Sequence, residues 1–364
     1  YEIRLSLVDS EMCIRDRLLS RIPRFHTFYR TGMFNPPMPV NITISLLYSC
    51  NSRCMTCNVY EKKVKRLKVE EYEKIFKTLG QAPFWFTMSG GEPFLRKDID
   101  EVCKIAYEMT RPAIINIPTN GSLSDIVPEK AEQIIKNCPE TDVIINLSLD
   151  QIGEEHDKIR GFPGNWEKAM HTYRALKELT KYPNFTIGIH TVISKFNANK
   201  FPEIYKELIK LEPDSYITEI AENRVELGTM DIDISPDTDQ YYKAIDFLIS
   251  EMKEKRLVGV ANIARSFRLE YYQMVKKFLQ QKTQIIPCFA GIASCQISPD
   301  GDVWPCCIRA DSMGNLRENN YDFKKVWNSE AAKKIRKSIK NRECACPLAN
   351  ASYTNLLISP SSVA

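Results

Sequence analysis

From Val40 onward the chain alternates short apolar runs with longer stretches whose apolar residues recur every three or four positions. Runs of the first kind fit strands, and stretches of the second kind fit amphipathic helices. Val40–Leu47, Phe84–Met88, Ala113–Ile117, Val143–Leu149, Phe185–Ile193 and Tyr216–Ala221 read as strands. Between the first two, Lys68–Leu79 carries a stripe of Val69, Tyr72, Ile75, Phe76 and Leu79, with Gly80 as its stop. Ile99–Met109, Glu129–Asn137, Phe201–Leu211 and Tyr241–Met252 read as helices. Asn165 is placed to cap a further helix bearing Trp166, Ala169, Met170, Tyr173 and Leu176. Six β–α repeats result. Each crossover helix returns the chain to the same end, which makes the sheet parallel. Periodicity admits an open doubly wound sheet or a partial barrel, and in both ligands gather at the carboxyl ends of the strands.

Past residue 260 the pattern changes. Residues 262–280 read as a linking helix, and from Ile285 short strands, turns and cysteines follow, with a hairpin signal at Ser298–Asp302. The expected organisation is an extension over 18–39, an α/β core over 40–260, a linker over 261–282 and a cysteine-rich domain over 283–364. Residues 1–17 resemble translated sequencing-adapter read-through and are set aside, Cys13 with them. A genuine amphipathic helix is the other reading of that stretch.

Composition narrows the class little. Of 364 residues, 43% are hydrophobic and 26% charged, as in ordinary globular proteins. A net charge of +4 is too weak to point to nucleic acid or a membrane surface. No apolar run reaches the roughly 18 residues of a membrane span. The run Lys62, Lys63, Lys65, Arg66 and Lys68 reads as a solvated face. Cysteine changes the picture. Twelve are present, three near residue 50 and six between 288 and 346. Clustering of this kind points to metal ligation in a reducing cytoplasm rather than to disulfides. Cys103 and Cys138 fall on helices and read as small apolar residues.

Cys50, Cys54 and Cys57 lie within eight residues on the loop after the first strand. Four thiolates close an ordinary four-iron cluster, whereas three leave one iron open, as a catalytic metal requires. A zinc site is the alternative, although no His lies near this loop. Ser89-Gly90-Gly91-Glu92-Pro93 follows the second strand, where two glycines permit close backbone approach and Glu92 can accept from an amine. Asn120 ends the third strand, as a site residue or a turn residue. Ser148 and Asp150 end the fourth. Arg160, in His156-Asp157-Lys158-Ile159-Arg160, can fork a carboxylate or pair with Glu154 or Glu155 on the surface.

Cys-x3-Cys-x2-Cys with these strand ends resembles the radical S-adenosylmethionine (SAM) superfamily, over about Val40 to Ala221. The resemblance implies a partial (β/α)6 TIM-type barrel with a small cysteine-rich α+β domain. It implies a [4Fe–4S] cluster held by Cys50, Cys54 and Cys57, whose open iron is chelated by S-adenosylmethionine. Reductive cleavage then yields a 5′-deoxyadenosyl radical that abstracts hydrogen from substrate. Gly90, Gly91, Glu92, Pro93, Asn120, Ser148, Asp150 and Arg160 are the implied cofactor contacts. Thr56 departs from the aromatic residue usual before the third cysteine. The C-terminal segment resembles the SPASM/Twitch class, which implies a second [4Fe–4S] cluster on Cys288, Cys306, Cys344 and Cys346, with Cys295 and Cys307 as substitutes. No cysteine after residue 346 favours a Twitch-like single cluster unless the chain is truncated; the tight Cys344-x-Cys346 pair is the reason one of the two can give way to Cys295 or Cys307, and structural zinc is the alternative. The implied partners are a peptide, protein or small-molecule substrate and a flavodoxin- or ferredoxin-type reductant. An iron–sulfur electron carrier without radical chemistry, or a zinc-stabilised barrel, are the competing readings.

Overall fold

In the computed structural model, the backbone is described for residues 36–254 and 259–359, and side chains for the same residues except 259–264. The stretch 1–17 and the extension up to residue 35 lie outside the described residues.

Six strands form in the predicted places: β1 (Asn41–Ser45), β2 (Trp85–Ser89), β3 (Ile114–Thr119), β4 (Asp142–Ser148), β5 (Phe185–Ile193) and β6 (Ser215–Ile220). The helices between and after them are α1 (Val69–Leu79), α2 (Ile99–Thr110), α3 (Ile126–Asn137), α4 (Gly153–Arg160), α5 (Asn165–Lys177), α6 (Phe201–Leu208) and α7 (Thr238–Glu254). All neighbouring pairs from β1 to β6 are parallel, and the strands lie side by side in chain order. A doubly wound sheet needs a reversal of strand order, and none occurs from β1 to β6. Crossovers of one hand then place the helices on one face, so the sheet curls as a partial barrel.

Period-two alternation sorts each strand between those faces. In β4, Val143, Ile145 and Leu147 are fully buried in the core, while Ile144, Asn146 and Ser148 line an interior cavity. In β6, Tyr216 and Ile220 pack into the core, while Ile217 and Glu219 line the cavity. On α1, Tyr72, Ile75, Phe76 and Leu79 are buried, as the stripe predicts. Each such apolar side chain contributes about 1.5–3 kcal/mol.

The helix expected at Asn165 forms, but Asn165 does not cap it. The cap position is Gly164, in left-handed backbone. The Asp157 carboxylate instead accepts from Gly164 N (2.6 Å) and Trp166 N (2.7 Å), so the preceding helix caps the next.

After α8 (Gly259–Gln281), β7 (Ser294–Ile297) pairs parallel with β1, and β8 (Val303–Trp304) pairs antiparallel with β7. The hairpin lies where predicted, and Gly301 supplies its positive φ of 96°. The cysteine-rich segment thus continues the barrel sheet. α9 (Phe323–Trp327), α10 (Glu330–Lys340) and α11 (Ala349–Ile358) complete it. Among the described residues, no helix is long and apolar enough to cross a membrane.

Candidate functional site

The cysteine loop leaves β1 at the carboxyl end of the sheet, and backbone contacts hold it there. Gly91 N donates to Leu47 O (2.7 Å) and Glu92 N to Ser49 O (3.1 Å), which pins the strand β2 turn against the chain leading into Cys50. A side chain at Gly90 or Gly91 would collide with the Leu47 or Ser49 carbonyl. The two glycines therefore serve a close approach of backbone to backbone, although both also line the cavity. On the far side, Arg53 N and Met55 N donate to Arg160 O (3.0 Å) and Ile159 O (2.9 Å). Gly161, with φ 56°, leaves no room for a Cβ against the Arg53 carbonyl. Helix α4 can end on the cysteine loop only because that position is glycine.

Side chains tighten the arrangement. Glu92 is buried, and its carboxylate accepts from Phe94 N (3.3 Å), Thr119 Oγ1 (2.8 Å) and Asn120 N (2.8 Å). Burial raises its pKa above the usual carboxylate range against those bonds. Asn120 Nδ2 donates to Asn51 Oδ1 (2.8 Å) and Ser52 Oγ (3.0 Å), and so ties β3 to the cysteine loop. The Asn120 carbonyl accepts from Asn165 Nδ2 (3.0 Å), which orients the Asn165 amide oxygen toward His156 Nε2 (3.1 Å). Asp150 N donates to His156 Nδ1 (3.3 Å), so the ring carries its proton on Nε2. Burial, then the Arg160 charge, lower the His156 pKa to about 4.

Arg160 pairs with Asp150 (2.9 Å), not with Glu154 or Glu155. Burial opposes its charge, but the Cys54 thiol and the Asp150 carboxylate outweigh that and raise its pKa. Its Nε is buried without a hydrogen-bond partner. Asp150 also accepts from Val192 N (2.9 Å), so its carboxylate is taken up in positioning Arg160 and β5.

A cavity of about 550 Å³ opens beneath this loop. Cys50, Cys54, Cys57, Gly90, Gly91, Glu92, Asn120, Ser148 and Arg160 line it, whereas Pro93 and Asp150 do not. Pro93 is buried as the first residue of a short 3-10 helix. The lining also carries charged residues outside the implied set, among them His190 and Glu219, which the sequence places on the fifth and sixth strands as either pocket or core residues. Glu219 on β6 lies 3.6 Å from His190 and 3.1 Å from Arg224, which also reaches Glu222 (3.4 Å). Arg224 and His190 hold Glu219 below its usual range despite burial, while burial and the Glu219 charge leave Glu222 at about 8. Glu226 accepts from Ser45 Oγ. The only signal for these groups was their position at or just past a strand's carboxyl end.

Cys288, Cys344 and Cys346 line one small pocket, and Cys306 and Cys346 pack against a cluster of Cys307, Leu348 and Ala351. Cys295 sits on β7 in the core, where Arg336 is its charged neighbour. Cys307 turns toward Arg224 and Glu226 in the main cavity. Cys103 and Cys138 are fully buried in the core, as expected.

The residues fit the groups the sequence implies. Burial raises the pKa of Cys50, Cys54 and Cys57, the last to about 12; negative charge on Cys54 adds to it at Cys50 and Cys57, and the Asp150 and Glu92 carboxylates add to it at Cys54. Thiolates so crowded are stabilised by a bound cation of high charge. Among the described residues, no three His, Cys, Asp or Glu side chains converge on one ion site. The unpartnered Arg160 Nε suits an anionic group of a second ligand.

Comparison with known proteins settles the class. Residues 44–208 match the radical SAM superfamily, and residues 288–347 match the SPASM iron–sulfur cluster-binding domain. The chain is a radical SAM enzyme with a SPASM domain. It is 22% identical over 338 residues to the antilisterial bacteriocin subtilosin biosynthesis protein AlbA of Bacillus subtilis, covering 88% of this chain and 68% of AlbA. It is 27% identical over 335 residues to the mycofactocin maturase MftC of Mycobacterium tuberculosis, covering 88% and 77%. The fold is shared with Streptococcus suis SuiB at a TM-score of 0.60 and 15% identity, over 89% of this chain and 75% of SuiB. The radical SAM domain binds a [4Fe–4S] cluster and S-adenosylmethionine, and the SPASM domain binds further iron–sulfur centres.

Proposed function

We propose that this radical SAM enzyme matures a peptide, abstracting hydrogen from a residue threaded into the interior cavity. The cavity carries the reading, because it has the cysteine triad on one wall and Cys306 and Cys307 on another. A side chain held there lies between the triad and Cys306, one of the four thiols assigned below to the auxiliary cluster. Similarity to AlbA and MftC, over 88% of the chain in each case, supports a peptide, while similarity to the Fe-coproporphyrin III synthase of Methanosarcina barkeri, 24% identical over 81% of this chain, supports a small molecule as the second reading.

In this reading Cys50, Cys54 and Cys57 hold the catalytic cluster, and Cys288, Cys306, Cys344 and Cys346 hold one auxiliary cluster. The bound cluster and S-adenosylmethionine supply the one-electron chemistry that starts hydrogen abstraction. This chain's residues bind and orient. Arg160, fixed by Asp150, offers its free donors to a carboxylate. Glu92 and Asn120 fix the β2 and β3 ends against the cysteine loop. Glu222, protonated near neutral pH, lies in the wall where it can hold a proton or donate a hydrogen bond to substrate.

The test is mass spectrometry of short peptides encoded beside the gene, incubated with reconstituted enzyme, S-adenosylmethionine and reductant. One of them should lose hydrogens at a single residue. Unmodified peptides, with turnover restored by a small-molecule substrate, would overturn the peptide reading.

A further inference from the structure

The turn that follows β8 runs from Cys306 to Ala310 and closes with Ala310 N donating to Cys306 O (3.1 Å). The segment after β6 holds it from one side, where Val225 N donates to Ile308 O (3.2 Å) and Glu226 N to Cys307 O (3.2 Å). Arg309 leaves this turn toward the other cysteines. Its Nη1 donates to Ser338 Oγ on α10 (2.7 Å) and to Cys344 Sγ (3.8 Å), and its Nη2 pairs with Asp311. Both arms of the guanidinium are therefore fixed, and one of them is aimed at a sulfur.

Cys344 is held a second time through its backbone. Gln284 Nε2 donates to Cys344 O (2.8 Å) and to Ile339 O (3.0 Å), which ties the cysteine to the end of α10. Among the described residues, Cys344 is the one of Cys288, Cys306, Cys344 and Cys346 whose sulfur accepts from a charged side chain. The other charges nearby leave that bond in place. Asp311 offsets part of the guanidinium charge but takes the other arm. Arg342 and Glu343, just before Cys344, are exposed and opposite in sign. Glu222 is the acid that acts on Cys346, and burial raises its pKa to about 8, so it is mostly uncharged at neutral pH.

We propose that Arg309 is a positioning residue for the auxiliary cluster: it fixes Cys344 as a ligand and, by donating to that sulfur, raises the reduction potential of the cluster. The proposal rests on the reading of Cys288, Cys306, Cys344 and Cys346 as cluster ligands. A cluster gains negative charge when it takes up an electron. An N–H donor at one of its sulfurs stabilises that charge, so removing the donor makes reduction harder. The bond is charge-assisted, and the planar fork aims it, because the same nitrogen is anchored on Ser338 while the other is anchored on Asp311.

The experiment is a redox titration followed by electron paramagnetic resonance. It uses the reconstituted full chain carrying Cys50→Ala/Cys54→Ala/Cys57→Ala, so that the auxiliary cluster alone gives the signal. Adding Arg309→Gln to this parent should keep about four irons per chain and lower the ratio of reduced to oxidised cluster at a fixed potential about tenfold, a midpoint ~59 mV lower for a one-electron couple. Arg342→Gln removes an exposed cation beside Cys344 and should move the midpoint by less than half as much. Arg309→Lys keeps the charge and loses the fork, and its midpoint should fall between those of the parent and Arg309→Gln. It carries the test if Arg309→Gln binds no iron. An unchanged midpoint in Arg309→Gln, or in Arg309→Lys where that variant carries the test, overturns the proposal, as does an equal fall in Arg342→Gln. A parent chain that binds zinc, or no metal, would instead remove the auxiliary-cluster reading beneath it.

Discussion

Gly161 ends α4 in left-handed backbone and lies against the Arg53 carbonyl, so any side chain there pushes α4 off the cysteine loop. Gly161→Ala should cost about 1–3 kcal/mol in chemical denaturation and lower the iron bound after reconstitution. Unaltered iron content would mean that α4 does not position the loop. His156 makes a second, pH-dependent prediction. Its pKa is depressed to about 4, so its contribution is complete above about pH 6.5, where folded and unfolded rings are both neutral. As pH falls from about 6.5 toward 4, only the unfolded ring gains a proton, and stability drops by up to about 3 kcal/mol. The stability deficit of His156→Gln relative to wild type should therefore shrink between pH 7 and pH 5. A deficit that stays constant or grows would contradict the buried neutral ring. Arg160→Gln should weaken S-adenosylmethionine binding by about tenfold or more in equilibrium dialysis, because a charged donor to a carboxylate is lost. Cys50, Cys54 and Cys57 stood out because they fall within eight positions of sequence, and the structure brings all three to one cavity. The clamp of Asn120 on Asn51 and Ser52 did not, since it joins residues about seventy positions apart whose amides look like ordinary turn residues.

At the scale of elements, apolar periodicity placed β1 to β6 and most helices to within a few residues, because each buries one face against its neighbours. It could not see who caps whom. Asn165 looks like a cap by type, yet Asp157 takes that role and frees Asn165 to bridge His156 and Asn120. The join of the cysteine-rich segment to the barrel was equally hidden, since β1 and β7 pair across some 250 residues. A second join is Arg317, whose guanidinium bonds Glu71 on α1 (2.7 and 3.1 Å) and the carbonyls of Lys65, Arg66 and Asp300. Arg317 holds the Glu71 carboxyl at about 2. That contribution is present above the ordinary carboxylate range and is lost as pH falls through it toward 2. Arg317→Ala should raise hydrogen exchange across residues 62–68 without altering that of β3 or β4. Uniform exchange changes across the sheet would show that Arg317 supports the whole fold rather than this loop.

For the whole molecule, strand order decided what periodicity left open. Six parallel strands in chain order make a partial barrel, and β7 extends it so that Cys295, Cys306 and Cys307 line the same cavity as the triad. The pairing of Glu219 on β6 with Arg224 and Glu222 just past it became visible only in that assembly, because no spacing there marks chemistry. The central claim is that Cys50, Cys54 and Cys57 hold a cluster that cleaves S-adenosylmethionine. The most direct measurement is 5′-deoxyadenosine production by the anaerobically reconstituted chain with dithionite and S-adenosylmethionine, compared with Cys54→Ala. The account predicts product from the wild type and none from the variant; no product from either, or equal product from both, would contradict it.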